Sequence, residues 1–130
     1  MLFLRSRTRE AAIRELVQAA CRSAPSLDPE TTFAAVWERE AIVSSWIAPG
    51  IAIPHARLQG FTGFVLVLGR SRKGVDYESP DGKPVDILAL ILGDAAAVDR
   101  HLELLAEIAR TLRPEDIRRR ILAARTRREI

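Results

Sequence analysis

Four side chains of this sequence are of types that can do chemistry together: Arg39, Ser45, His55 and His101, the last two being its only histidines. His55 closes the run Gly50-Ile51-Ala52-Ile53-Pro54-His55-Ala56-Arg57. Pro54 fixes its own φ and drives Ile53 extended, so the imidazole follows a stiffened, extended backbone. A neutral imidazole nitrogen is a competent nucleophile. A phosphoryl group moving onto it needs a cation and neutral donors around its equatorial oxygens, which Arg39, His101 and the Ser45 hydroxyl could supply. Each also has an ordinary role open to it. His55 can be a strand-end histidine in a Pro turn, His101 a core-edge histidine bonded to a carbonyl, Arg39 a partner of Glu38 or Glu40, and Ser45 a loop serine. A zinc site lacks its ligand pair, since His55, His101 and Cys21 come without a close neighbour of ligating type.

The elements that must position these groups are legible from period and punctuation. Thr8 to Cys21 carries Ala12, Ile13, Leu16, Val17 and Ala20 at helical spacing, and Ser23-Ala24-Pro25-Ser26 ends it. Asp28-Pro29-Glu30 is a cap, a first-turn proline and an early acid, opening a second helix with Phe33, Val36, Trp37 and Ala41 inward. Residues 42–53 read as loop and short strand. Phe64-Val65-Leu66-Val67-Leu68 and Val85 to Leu92 are continuous apolar strands, expected to be buried on both faces. Between them Arg72-Lys73-Gly74 reads as a turn, Val75-Asp76-Tyr77 as a short strand, and Pro80-Asp81-Gly82-Lys83-Pro84 as a second turn. A long helix from about Ala96 to Leu112 has Leu102, Leu105, Ile108, Ala109 and Leu112 as its stripe, with His101 near that face. Its N-terminus offers free N–H groups and a positive dipole end to an anion. Pro114-Glu115-Asp116 starts a last helix with Ile117, Ile121 and Leu122 inward. Helices before and after a strand group make an α/β sandwich, a sheet covered on both faces.

The totals bound the answer. A chain of 130 residues with 48% hydrophobic residues fits one globular domain, 1–130, or a module of a longer chain. One cysteine excludes an internal disulfide framework and suits a reducing, cytoplasmic setting. No apolar run approaches membrane-spanning length, and Met1-Leu2-Phe3-Leu4 is shorter than a signal-peptide core. The net charge is +3, concentrated from Arg113 to the end, where seven arginines meet three acids and no aromatic. That pattern fits the solvated face of a last helix rather than a nucleic-acid footprint.

Glu38-Arg39-Glu40, Ser45 and Gly50 to Arg57 together resemble the signature of the mannitol/fructose-type enzyme IIA domain of the bacterial phosphoenolpyruvate:sugar phosphotransferase system, whose nitrogen-regulatory paralogue shares it. The likeness extends through Gly74-Val75-Asp76-Tyr77, Gly82-Lys83-Pro84-Val85 and His101-Leu102-Glu103-Leu104-Leu105-Ala106, with Arg39 and His55 16 residues apart and His101 46 beyond. It covers most of the chain from about Thr8. The resemblance implies an α/β fold, a mixed β-sheet flanked by helices. It implies His55 as the phosphoryl acceptor from the carrier HPr, His101 and Arg39 as the groups holding the phosphoryl, and an enzyme IIB domain or a regulated protein as the acceptor. Ser45 stands where threonine is common and keeps a hydroxyl. No metal or organic cofactor, nucleic acid or membrane insertion is implied. Trp46 and Pro49 depart from the smaller residues usual before the signature, and the opening strand is short. The alternatives are a nitrogen-regulatory or transporter-attached regulatory domain, and an anion-binding module without transfer. All four side chains should then converge on one anion site near the start of the long helix, with the imidazoles within the roughly 7 Å that one bridging group can span. Leu58, Phe61 and Trp46 are the expected apolar docking residues beside it.

Overall fold

The alternation of residues along one central strand organises the chain into two cores. The structure is a computed structural model and describes residues 1–124. Its elements are β1 (Leu2–Phe3), α1 (Arg9–Ser23), α2 (Pro29–Ile42), β2 (Trp46–Ala48), β3 (Ile51–Ala52), β4 (His55–Leu58), β5 (Phe64–Val75), β6 (Val85–Asp94), α3 (Val98–Leu112) and α4 (Glu115–Ala123). The sheet runs β1-β5-β6-β3-β2, with β4 also on β6. β5 and β6 are antiparallel, as are β2 and β3, whereas β1 on β5 and β3 and β4 on β6 are parallel. The sheet is therefore mixed, as the resemblance implies.

β6 has neighbours on both edges, and apart from half-buried Asp86 and Asp94 all its residues are buried. Leu88, Leu90 and Leu92 face α1 and α2, packing with Ile13, Leu16 and Val36. Ile87, Ala89 and Ile91 face α3 and α4, packing with Leu112 and Ile121. Truncating a leucine of this strand to alanine costs about 2–5 kcal/mol. The first two helix starts are capped as their sequences require. Thr8 accepts from the Ala11 amide at 3.3 Å and Asp28 from the Thr31 amide at 2.8 Å, caps typically worth about 1 kcal/mol each.

Several faces differ from the periodic reading. On α2 the buried residues are Thr32, Phe33, Val36 and Glu40; Trp37 is half-buried and Ala41 exposed. β5 does not turn at Arg72-Lys73-Gly74. It runs to Val75, bulging after Arg70, and Asp76 bridges to Thr8. Leu66 is 53% exposed, although it shares a face with Phe64 and Leu68, because the helices on that side do not cover it. On α3 Leu102 is 58% exposed and only His101 and Leu112 are buried. Of the basic C-terminal segment, Arg118 pairs with Asp86 at 2.9 Å and Arg119 and Arg120 are exposed. Arg125, Arg127, Arg128 and Glu129 lie outside the described residues.

Candidate functional site

β3 and β4 lie along the same edge of β6, Ile51–Ala52 against Ile87–Leu88 and His55–Leu58 against Ile91–Asp94. The gap between them is Ile53-Pro54. Pro54 has no N–H, and its carbonyl accepts from the Ile91 amide at 3.0 Å. His55 is thus seated at the C-terminal end of the sheet, where β6 gives way to the loop leading into α3.

A cavity of about 550 Å³ opens there between the end of α2, β4 and the start of α3. Arg39, His55, Arg57 and His101 line it, with Glu38 and Gln59 at its polar margin. The two imidazole centroids are 5.5 Å apart and inclined by 52°. The His101 ring also lies against Phe64, 6.2 Å between centroids. Its place depends on Gly93: a Cβ there would come within 2.8 Å of His101 Nδ1 and 2.6 Å of Phe64 Cε1. Ala95 and Val98, at the entry to α3, line the same cavity, so the first turn of that helix borders the site.

The state of each imidazole follows from its surroundings. His55 Nδ1 lies 2.8 Å from the Ile53 carbonyl. A carbonyl oxygen only accepts, so Nδ1 carries the proton and Nε2 keeps its lone pair in the neutral ring. Burial lowers the His55 pKa; the Ile53 carbonyl and Glu40 oppose that shift, and Arg39 and Arg57 add to it. His101 is 3% exposed and its pKa is pushed down to about 4, by burial first and then by His55, Arg57 and Arg39. Neither ring nitrogen of His101 has a hydrogen-bond partner among the described residues. A buried neutral imidazole with an unpartnered N–H, beside two guanidinium groups, fits an anion with several acceptor oxygens. Among the described residues no three His, Cys, Asp or Glu side chains are grouped to hold a metal ion.

Arg39, His55 and His101 are therefore brought together, and Ser45 is not. Its hydroxyl is buried beside Glu40 Oε1 at 2.9 Å and the Tyr77 hydroxyl at 2.7 Å, and it does not line the cavity. The serine closes the turn after α2, and its side chain points to the core side of that turn. Arg57 was given no role from sequence, yet it faces the site. The available signal was strand period: His55 and Arg57 are two apart on β4 and share a face. The expected docking residues also differ. Leu58 is buried and Trp46 and Phe61 pack against the core, while the exposed apolar side chains at the mouth are Ile42, Val98 and Leu102.

Residues 2–130 match the family model described as "Phosphoenolpyruvate-dependent sugar phosphotransferase system, EIIA 2". The chain belongs to this family. EIIA domains are phosphotransferases that carry a phosphoryl group on histidine. The chain is 35% identical over 123 residues to the fructose-specific EIIABC component of Bacillus subtilis, covering 95% of this EIIA chain and 19% of that protein. It is 34% identical over 119 residues to a nitrogen regulatory protein of Pseudomonas aeruginosa, covering 92% and 77% of the two chains. It therefore spans about a fifth of the first relative and about three quarters of the second. The crystal structure of the nitrogen regulatory protein IIA-Ntr from Neisseria meningitidis superposes with a TM-score of 0.88 at 27% identity, covering 96% of this chain and 85% of that one. The Escherichia coli complex of enzyme IIA mannitol with phosphorylated enzyme IIB shares the fold, with a TM-score of 0.79 at 18% identity over 99% and 88% of the chains. Among the described residues no helix is long and apolar enough to cross a membrane.

Proposed function

We propose that His55 takes a phosphoryl group from phospho-HPr and passes it to an enzyme IIB domain. The observation that carries this is the hydrogen bond from His55 Nδ1 to Ile53, which leaves Nε2 as the only nucleophilic atom of the ring. In the transfer the Nε2–P bond forms as the bond from phosphorus to the donor's nitrogen breaks. The Nδ1 proton stays on His55, held by the Ile53 carbonyl. Arg39 and Arg57 offset the charge of the equatorial oxygens, and neutral His101 donates one N–H to them. His101 acts as a donor rather than a cation, because its low pKa keeps it neutral at pH 7. The rim of Ile42, Val98 and Leu102 gives a carrier an apolar surface on which donor and acceptor dock in turn.

Incubation with phosphoenolpyruvate, enzyme I and HPr, followed by intact mass, tests the assignment. One acid-labile phosphoryl group should be gained, and His55→Ala should gain none. Undiminished labelling of that variant would remove His55 from the role.

A regulatory reading draws support from the nitrogen regulatory relatives, one of which has the TM-score of 0.88. In that reading the phosphorylated and free forms differ in affinity for a partner outside sugar transport. Onward transfer to an enzyme IIB domain marks the transport carrier; a stable phospho-form that binds or releases such a partner marks the regulator.

A further inference from the structure

The apolar stripe of α2 runs through Phe33 and Val36 and then arrives at Glu40, a carboxylate only 4% exposed. Among the described residues it makes no ion pair. It is held by neutral donors instead: the Ser45 amide at 3.0 Å, the Ser45 hydroxyl at 2.9 Å and the Tyr77 hydroxyl. Tyr77 is fully buried, and burial together with the Glu40 charge raises its pKa, so it remains an O–H donor. A buried carboxylate without a cation is costly, and an apolar side chain of similar size would fill the same space at lower cost. Packing alone therefore gives no reason for a carboxylate at this position.

The cluster leads directly to the proposed nucleophile. The Ser45 carbonyl accepts from the Ile53 amide at 2.9 Å, closing the base of the β2–β3 hairpin. The Ile53 carbonyl, on the other side of the same residue, accepts from His55 Nδ1 at 2.8 Å. Tyr77, Glu40, Ser45, Ile53 and His55 thus form one continuous line of hydrogen bonds. We propose that the buried Glu40–Ser45–Tyr77 cluster is a positioning device for His55, clamping the hairpin so that the Ile53 carbonyl holds the imidazole as its Nδ1–H tautomer. This rests on the carrier reading of His55. Second partners of this kind commonly fix the tautomer of a working histidine. The Glu40 charge also reaches the ring, raising the His55 pKa against the lowering that burial imposes. The other charged or titratable groups facing that ring are Arg39 and Glu38 from α2, Arg57 from β4 and His101 from α3.

The test is imidazole 15N NMR of the unphosphorylated protein across a pH titration, for the parent and Glu40→Gln. The parent should show the Nδ1–H tautomer at His55. Glu40→Gln should lower the His55 titration midpoint and mix the two tautomers. It should also slow phosphoryl acceptance by about tenfold at saturating phospho-HPr, with the half-saturating concentration unchanged. A folded Glu40→Gln protein with the parental midpoint and tautomer overturns the proposal. If Glu40→Gln does not fold, Ser45→Ala and Tyr77→Phe each remove one donor and retain the charge. Tautomer mixing in either supports the device, and parental tautomers in both refute it. Because the tautomer and the titration midpoint are read without phosphoryl transfer, a parent with an intact Nδ1–H tautomer that is never labelled would sink the carrier reading alone.

Discussion

Replacing His101 by glutamine should change how the stability of the protein depends on pH. The imidazole has an ordinary value of 6.5 and a folded value of about 4, set first by burial. Between those values the unfolded chain binds a proton that the folded chain does not, so stability falls as the pH drops through that window. At about 1.4 kcal/mol per unit, the fall from pH 7 to pH 5 removes about 2 kcal/mol through this group, and about 3 kcal/mol is gone below pH 4. Carboxylates titrate over the same range, so the informative quantity is the difference between the two proteins. Urea unfolding at pH 7 and pH 5 measures it, with the unfolding slopes compared to check two-state behaviour. The parent should lose about 2 kcal/mol more than His101→Gln, because glutamine has no proton to gain. Equal losses would mean that His101 charges freely in the folded state, and the neutral-donor role assigned to it would fail.

Gly93→Ala should destabilise the fold by about 1–3 kcal/mol in urea unfolding, because the new methyl meets Phe64 and His101; its His101 imidazole signals should move, and unchanged signals would show that the ring does not depend on that glycine. Arg39→Ala should keep its thermal midpoint and slow labelling by roughly tenfold or more, since among the described residues the guanidinium holds only a long 3.5 Å contact with the Val43 carbonyl; parental labelling rates would refute its role. Arg118→Ala should cost about 1 kcal/mol or less and leave labelling intact, because its pair with Asp86 is partly exposed and remote from the cavity; slowed labelling would tie that pair to the site. Phosphorylation should shift backbone NMR signals mainly within residues 39–61 and 95–105, and widespread shifts across β5 and β6 would indicate a global switch instead.

Much of the local structure was legible without coordinates, because it is decided by neighbours in the chain. Thr8 and Asp28 announce their helices through a side-chain oxygen that bonds an amide three residues on. Pro54 stiffens the backbone before His55 whatever surrounds it. The sequence also bounded the chemistry: Glu38-Arg39-Glu40, Gly50 to Arg57 and the segment from His101, taken together, carry the likeness to EIIA domains, and the tertiary structure brings Arg39, His55 and His101 to one cavity.

Tertiary structure alone decided which side of each element is covered. A period marks a face as apolar, but it does not say whether a neighbouring element reaches it, and so Leu66 and Leu102 are exposed and Ala41 faces outward. The same limit hid Glu40, a charged residue whose burial depends on Tyr77, 37 positions away. It also misplaced Ser45, whose hydroxyl could turn toward an anion or toward Glu40 until the fold brought Tyr77 beside it. Which ring nitrogen of His55 keeps its lone pair was undetermined for a related reason. The two ring nitrogens are equivalent in composition, and only the position of one backbone carbonyl, fixed by how the β2–β3 hairpin packs on β6, tells them apart.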